Sequence, residues 1–564
     1  MPRTVAIGIQ DFQKIRIQDT FYIDKTNFIE EWWESRDDVT LITRPGRFGK
    51  TLTMSMVEQF FSVNCAGCGN IFEGLSIWEK EKYRQLQGSY PVISLSFSNI
   101  KETTFHETRK KICRTIQLLY RKFSFLLEGS TLTDEEKEDF QKITVDMEDY
   151  VVSLSLQQLS EYLYRYYGKK AILLLDEYDT PLQEAYVNGF WNELSDFIRN
   201  LFHATFKGNP YMERAIMTGI TRISKESIFS DLNNLKLVTT TSDEYADCFG
   251  FTEKEVFSAL DEYQLSDKKE QVKEWYNGFT FGQESDIYNP WSILNYLDTG
   301  QLRPYWANTS SNQLIGKLLR QGSTDTKQKF EQLLSGYSLK VSIDEQIIFE
   351  QLSEKESSIW SLLLASGYLK IVKTDFCENT GGLSYYLTLT NKEVRLMFKN
   401  MIHSWFSDYD SGYNDFIKAL LQNDIKAMNV YMNRVALNTF SFFDSGKKPS
   451  AENEPERFYH GFVLGLIVDL EPRYTIFSNR ESGFGRYDVI LEPKGNDDAI
   501  ILEFKVFDPD EENTLSDTVH KALEQIEQKK YETDLLSKGF TGNRIRKYGF
   551  AFQGKTVLIG NGTT

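Results

Sequence analysis

At 564 residues the chain is too long for one hydrophobic core, and about three or four domains is the prior division. Hydrophobic residues make up 41% and aromatics 14%, enough to bury sizeable cores, and no stretch approaches the ~18 uncharged apolar residues of a membrane span. A net charge of -17 argues against nonspecific polyanion binding by the whole surface, while leaving room for a local basic groove.

The opening residues, Met1-Pro-Arg-Thr-Val-Ala-Ile-Gly8, lack the apolar core of a signal peptide, so a cytoplasmic location is expected. Five scattered cysteines suit a reducing compartment. Cys65-Ala-Gly-Cys68 has no second pair and no nearby histidine, and reads as a loop coincidence before it reads as a zinc or redox site.

Phe21-Tyr-Ile-Asp-Lys-Thr26 and an amphipathic stretch around Phe28–Trp33 come first. Val39-Thr-Leu-Ile-Thr-Arg-Pro-Gly-Arg-Phe-Gly-Lys-Thr51 follows, and Leu52 opens a helical pattern that runs to Phe61. An apolar strand, a Gly-containing turn and a helix form the setting in which Gly-Lys-Thr becomes a phosphate site. Gly49 lets the backbone approach an anion, and Lys50 reaches the β- and γ-phosphates. Thr51 offers a hydroxyl to Mg²⁺, and the helix N-terminus offers unpaired N–H groups. The position of the motif's first glycine is held by Arg44, and Pro45 removes one N–H, although Gly46 restores some freedom of turn.

Tyr90–Phe97 alternates as a strand. Ile112–Leu127 and Tyr150–Tyr167 look helical, separated by an acidic connection at Thr133–Asp139. Lys170-Ala-Ile-Leu-Leu-Leu-Asp-Glu-Tyr-Asp179 is a continuous apolar run, as expected of a strand buried on both faces, with carboxylates at its C-terminal end. It reads as a Walker B strand, in which Asp176 holds Mg²⁺ and Glu177 polarises the attacking water. On the next strand, Arg214–Ile220, Thr218 stands where a sensor hydroxyl would meet the γ-phosphate. Arg222 would contact the phosphate too, and an ordinary polar strand end explains either residue equally well. Strands alternating with helices predict a doubly wound α/β domain over residues 1–245.

Tyr22-Ile-Asp-Lys-Thr26, Arg44-Pro-Gly-Arg-Phe-Gly-Lys-Thr51, Leu175-Asp-Glu-Tyr-Asp179 and Thr218-Gly-Ile-Thr-Arg222 resemble the AAA-ATPase-like family of bacterial proteins. So do Trp275-Tyr-Asn-Gly-Phe279 and Tyr288-Asn-Pro-Trp-Ser292. The resemblance implies an N-terminal P-loop ATPase joined to a C-terminal domain of the PD-(D/E)XK nuclease superfamily. It also makes Arg44 a family trait, and assigns nucleotide contact to Arg44, Gly46, Arg47, Phe48, Gly49, Lys50, Thr51, Leu52, Thr218 and Arg222.

Residues 246–400 read as a helical lid with winged-helix-like material. Phe251-Thr-Glu-Lys-Glu-Val-Phe257 carries a helix-start signature. Ile359–Lys370 passes from helix to strand at Gly367, and Tyr385–Leu389 returns after Gly381-Gly382. No basic recognition helix is evident, which favours a lid or packing module over a DNA grip. The Trp and Tyr residues near 275–292 and 305–306 read as core or interdomain packing.

Residues 401–564 start with helical segments, among which Gly461–Val468 reads as a short buried helix. Tyr474–Ser478, Gly485–Leu491 and Ala499–Val506 follow as strands, and a helix runs through Ala522–Tyr531. Period two puts Glu503 and Lys505 on one face, and Asp488 lies beside them if the preceding hairpin strand pairs in register. Two carboxylates there would hold Mg²⁺ or Mn²⁺, which polarises a phosphodiester, and Lys505 would orient the water or neutralise developing charge. By resemblance to the PD-(D/E)XK superfamily, Asp488, Glu503 and Lys505 are the motif residues, with Glu456 and Gln525 as additions. Glu481 reads as a hairpin-turn residue, and His460 as a packing or phosphate-contact residue.

The expected fold is thus an α/β P-loop NTPase sheet, a helical and winged-helix middle, and a restriction-endonuclease-like α/β domain. The expected activity is ATP binding and hydrolysis coupled to metal-dependent cleavage of DNA or RNA, in defence or mobile-element biology. The rival readings are a nucleotide-switched sensor or scaffold that binds a partner without cutting, and an ATPase that remodels without cutting. ATP and nucleic acid are the expected partners and a membrane is not; a homo-oligomer is left open.

Overall fold

A computed structural model of the chain describes residues 2–561 apart from 221–227, 230–231, 307–314, 317, 320–323, 335, 344–355, 378–381, 408–411, 440–458, 460–462, 465, 468–469, 471–472, 479–480, 483–484 and 487. Arg222, Glu456 and His460, singled out above, lie outside the described residues. The chain divides into two compact units, one made of Met1–Leu318 and Ser338–Met397, the other of Leu319–Tyr337 and Phe398–Thr564.

The first unit is built on a five-stranded sheet of β1 (Val39–Thr43), β2 (Val92–Ser96), β3 (Ala171–Asp176), β4 (Met212–Gly219) and β5 (Leu235–Val238), in the order β2-β3-β4-β1-β5. All its pairings are parallel. Side chains alternate across a strand, so burial of both alternating sets requires cover on both faces. Ile172, Leu174 and Ile216 join Met54, Val57, Phe60 and Phe61 of the helix Lys50–Phe61 in one core, while Leu173, Leu175, Ala215 and Met217 are buried on the other side. The sheet is therefore covered on both faces, as the apolar run of β3 predicts.

The long helices occupy Phe105–Lys122 and Asp149–Tyr167, with a short 3₁₀ segment at Ser124–Leu127. The acidic connection expected at Thr133–Asp139 is itself a helix, Asp134–Gln141. Thr133 and Glu136 form a reciprocal capping box at its start, and Arg165 pairs with Glu136 at 2.6 Å. The Thr-x-x-Glu spacing satisfies two of the N–H groups left open at a helix start, which outweighs the crowding of like charges.

Most of the middle of the chain belongs to this same unit, Leu319–Tyr337 excepted. A small antiparallel sheet runs β6 (Phe251–Thr252), β8 (Glu284–Tyr288), β7 (Asn277–Phe281). The helix Glu253–Glu262 begins with the expected box, Thr252 with Glu255. Another sheet places β11 (Gly382–Leu389) between β10 (Leu369–Cys377) and β9 (Leu339–Val341), all antiparallel, with the helix Glu356–Ala365 leading into β10.

In the second unit β12 (Tyr474–Ser478), β15 (Val489–Pro493), β16 (Ala499–Val506), β17 (Ile545–Gln553) and β18 (Thr556–Gly560) form one mixed sheet in that order. β13 (Glu481–Ser482) and β14 (Gly485–Arg486) make a separate hairpin pair, which puts Glu481 in a strand opposite Arg486, not in the turn. β16 and β17 are parallel, and the helix Leu515–Gln528 crosses between them in sequence. One face of the sheet packs against the helices Gly412–Gln422 and Ile425–Thr439, and Val463, Leu466 and Ile467 of the expected buried segment join that core. Among the described residues no helix is long and apolar enough to cross a membrane.

Candidate nucleotide and nuclease sites

β1 ends at Thr43 and the helix begins at Lys50, leaving six residues to turn the chain at the carboxyl edge of the parallel sheet. Two of them take left-handed backbone angles, Arg47 with φ 66° and Gly49 with φ 85°. A β-carbon on Gly49 would meet nothing within 4 Å, so glycine is required there for its angle and not for room. Gly46, Arg47, Phe48, Gly49, Lys50, Thr51 and Leu52 all line a cavity of about 550 Å³. Glu177 and Thr180 face it from the end of β3 and the helix that follows, and Ile23, Trp291 and Leu294 supply apolar wall.

Lys50 is 3% exposed, and its ammonium donates to the carbonyls of Arg44 and Pro45 at 3.0 Å each. Thr51 Oγ1 donates to Asp176 Oδ2 at 2.7 Å, and Thr218 Oγ1 donates to Asp176 Oδ1. Burial pushes the Asp176 carboxyl above its usual range; the hydroxyls of Thr218 and Thr51 and the Lys50 charge pull it back. Thr218 is buried and meets Asp176 directly.

Glu177 has φ 52°, a costly angle for a residue with a side chain. Its N–H donates to Thr218 Oγ1 at 3.3 Å, and its carboxylate accepts from Thr180 Oγ1 at 3.1 Å. Asp179 has a structural task, accepting from Ile220 N at 3.0 Å and from Gln183 Nε2 at 2.9 Å. Gly219 makes that possible, because a β-carbon there would stand 2.7 Å from Asp179 Oδ1.

Arg44, expected among the nucleotide ligands, uses its side chain elsewhere. The guanidinium is fully buried and donates to the carbonyls of Thr43, Thr239, Glu244 and Tyr245. It also lies 4.5 Å over the Phe281 ring. Burial pulls its ionisation down to about 10, so it stays charged at neutral pH. Arginine at the first-glycine position therefore ties the loop's start to the segment after β5, and its carbonyl serves Lys50. Phe48 likewise buries its ring, against Phe279 at 4.7 Å and Phe281 at 5.4 Å.

Three contacts from the middle of the chain have no signal in the local sequence. Asn289 Nδ2 and Trp306 Nε1 donate to the Gly46 carbonyl at 3.1 and 2.9 Å, and the Arg47 guanidinium lies 4.5 Å over Trp291. The aromatic residues expected to serve only packing thus reach the loop itself.

In the second unit β15 and β16 pair with Val489 opposite Leu502, so the same antiparallel register carried one residue further sets Asp488 opposite Glu503. Asp488 Oδ2 accepts from the Phe504 N–H at 2.8 Å, which fixes it at that strand end. Glu503 is 1% exposed, and Lys505 Nζ lies 3.7 Å from Glu503 Oε1. Gln525, from the helix Leu515–Gln528, donates its amide to Glu503 Oε1 and, at 3.0 Å, to the hydroxyl of Tyr531. Four of the expected residues, Asp488, Glu503, Lys505 and Gln525, are thus brought together. Tyr531 is an addition that no strand or helix period foretells; it is buried, and burial raises its pKa.

A parallel sheet whose first strand runs into a Gly-Lys-Thr turn, bonded to the carboxylate that ends β3 two places along the sheet, has the architecture of the P-loop nucleotide-binding class. Residues 6–229 match the family model described as predicted AAA-ATPase, and residues 454–562 match that of the PD-(D/E)XK nuclease superfamily. One stretch of the chain is thus similar to AAA-ATPase-like domains and another to PD-(D/E)XK nuclease superfamily domains. It is also 24% identical over 554 residues to a protein of Azotobacter chroococcum mcd 1 described as "Uncharacterized protein in vnfD 5'region", a match spanning 95% of this chain and 94% of that protein.

Proposed function

We propose that this protein binds and hydrolyses ATP at the Lys50-Thr51 loop, and that its C-terminal domain cleaves DNA or RNA under the licence of ATP binding or turnover. The observation carrying this reading is the convergence of Lys50, Thr51 and Asp176 beside a cavity lined in part by the loop Gly46–Leu52.

Lys50 would exchange its two carbonyl partners for phosphate oxygens, which bind an ammonium more strongly because they are charged. Loop N–H groups and the helix N-terminus would share the remaining phosphate charge. Thr51 and Asp176 offer hard oxygen donors, a fit for Mg²⁺, which would offset phosphate charge when bound. Glu177, on the cavity wall with its carboxylate held by Thr180, would orient the attacking water.

In the C-terminal domain Asp488 and Glu503 also present oxygen donors, a fit for Mg²⁺ or Mn²⁺, which would polarise the phosphodiester when bound. Gln525 orients Glu503, and Lys505 would hold the nucleophilic water or meet the charge developing on phosphate. Roles in defence or mobile-element biology suit a nuclease under nucleotide control.

The net charge of -17 favours a second reading, a nucleotide-switched scaffold that binds a protein partner through the nuclease fold. Equilibrium titration with a fluorescent ATP analogue tests the part common to both. Lys50→Ala should weaken binding about 100-fold, the worth of a charge-assisted contact to phosphate. Unchanged affinity would remove the loop assignment.

A further inference from the structure

We propose that Asn289 and Trp306 are positioning residues of the nucleotide site, clamping the Gly46 carbonyl so that the phosphate loop keeps its anion-binding shape, with Glu393 holding Trp306 in place. The proposal rests on the nucleotide reading above.

Two side-chain N–H groups converge on one carbonyl from 243 and 260 residues further along the chain. Both residues are 1% exposed. Each donor has its aim set by another bond. Asn289 Oδ1 accepts from the Trp291 N–H at 2.9 Å as the N-cap of the helix Pro290–Thr299, which turns its Nδ2 toward the loop. The Trp306 N–H donates to Glu393 Oε1 at 2.6 Å, and Ser292 Oγ donates to Glu393 Oε2 at 2.9 Å. Glu393 is fully buried, and the Trp306 ring is packed 5.4 Å from both Phe279 and Tyr368. Ser292 and Asn289 lie on the same turn, so one buried carboxylate ties both arms of the clamp together.

The peptide group is planar and trans, so fixing the Gly46 carbonyl also fixes the Arg47 N–H, which must point the opposite way. Arg47 is held at φ 66° and Gly49 at φ 85°, and left-handed residues in such a turn gather successive N–H groups into an anion-binding concavity. That angle is unfavourable for arginine, so it persists only when the surroundings impose it. The loop's own sequence helps little. Pro45 gives no N–H, and Arg44 replaces the glycine that this loop type normally has. A packing role alone would call for apolar contact with the loop; two donors on a single carbonyl set the orientation of a peptide group.

Asn289→Ser keeps a capping hydroxyl for the helix and removes the amide donor. Trp306→Phe keeps a ring and removes the indole donor. Dissociation constants for Mg²⁺–ATP and for AMP, which lacks the β- and γ-phosphates, are measured by calorimetry on the full-length protein, with melting temperatures alongside. Each variant should weaken ATP about fivefold, the worth of one hydrogen bond, and leave AMP within about twofold. Glu393→Gln keeps an acceptor for the Trp306 N–H and should stay close to wild type, whereas Glu393→Ala should reproduce the Trp306→Phe loss. Wild-type ATP affinity in both Asn289→Ser and Trp306→Phe would overturn the proposal. Equal losses for ATP and AMP would also overturn it, by marking a packing role. Wild-type protein that binds neither nucleotide would bring down the nucleotide reading itself.

Discussion

Thr51 Oγ1 donates to Asp176 Oδ2 at 2.7 Å, joining the first turn of the phosphate-loop helix to the end of β3, 125 residues later. The other carboxylate oxygen accepts from Thr218 of β4, so two strands and a helix start meet at one side chain. Thr218→Val removes one of these hydroxyls and leaves a buried carboxylate oxygen without its donor. ATP hydrolysis should fall about tenfold, because Asp176 is then neither aimed nor kept ionised as well, while ATP binding changes less. A coupled phosphate-release assay beside a binding titration separates the two, and unchanged turnover would show that Thr218 has no part in setting Asp176.

Glu177 faces the cavity, whereas Asp179 is committed to Ile220 and Gln183. Glu177→Gln should therefore keep ATP affinity and slow hydrolysis by about 10²–10⁴-fold, the range of a general base. Single-turnover kinetics measure this directly. Hydrolysis at the wild-type rate would place the base elsewhere.

In the second unit, Asp488 stands across the strand pair from Glu503 and Lys505 two residues beyond it, and they differ in what they offer. Lys505 carries no metal-ligating oxygen, so Lys505→Ala should abolish metal-dependent cleavage and leave Mn²⁺ affinity within about threefold of wild type. Asp488→Ala should lose both cleavage and Mn²⁺ uptake. Calorimetric metal titration next to a gel assay reads the split; equal loss of metal in both variants would contradict the assignment of Lys505.

The parts of this architecture that were legible in the sequence rest on local periodicity. The unbroken apolar run of β3 announces burial on both faces, and the Thr252–Glu255 box marks its helix start. The period-two spacing of Glu503 and Lys505, read with the hairpin before them, places Asp488. The Thr133–Glu136 box carried the same signal as Thr252–Glu255, but its run of carboxylates masked it. What stayed hidden is long-range. Asn289 and Trp306 reach Gly46 across more than 240 residues, and nothing in either segment specifies that partner. Arg44 sits in a phosphate motif, yet burial decides its side chain's use, since carbonyls from 239–245 surround it. Tyr531 meets Gln525 only because the chain turns back after the helix ends.

That helix is anchored by Glu512, which accepts from Thr518 Oγ1 at 2.5 Å and pairs with Lys521 at 2.9 Å. Burial opposes its ionisation, but the bonds from Thr518 and Lys521 outweigh burial and hold the carboxyl below its ordinary value. A depressed carboxyl contributes stability above its ordinary value and loses it as pH falls through the depressed one. Glu512→Gln should lower amide protection in Leu515–Gln528 by about 1–2 kcal/mol at pH 7, and the gap should be narrower at about pH 3. Hydrogen exchange at the two pH values checks the sign. A gap that does not change with pH would assign the effect to packing.

The central claim is a metal-dependent nuclease governed by a nucleotide site, and cleavage itself tests it most directly. Full-length protein is incubated with end-labelled single- and double-stranded DNA and RNA, with Mg²⁺ or Mn²⁺, and with ATP, a non-hydrolysable analogue or no nucleotide. At least one substrate should be cut only when metal is present, faster when nucleotide is bound, and not at all by Asp488→Ala. Intact substrates under every condition, together with metal uptake that does not depend on Asp488, would contradict the account and leave the nucleotide-switched scaffold in its place.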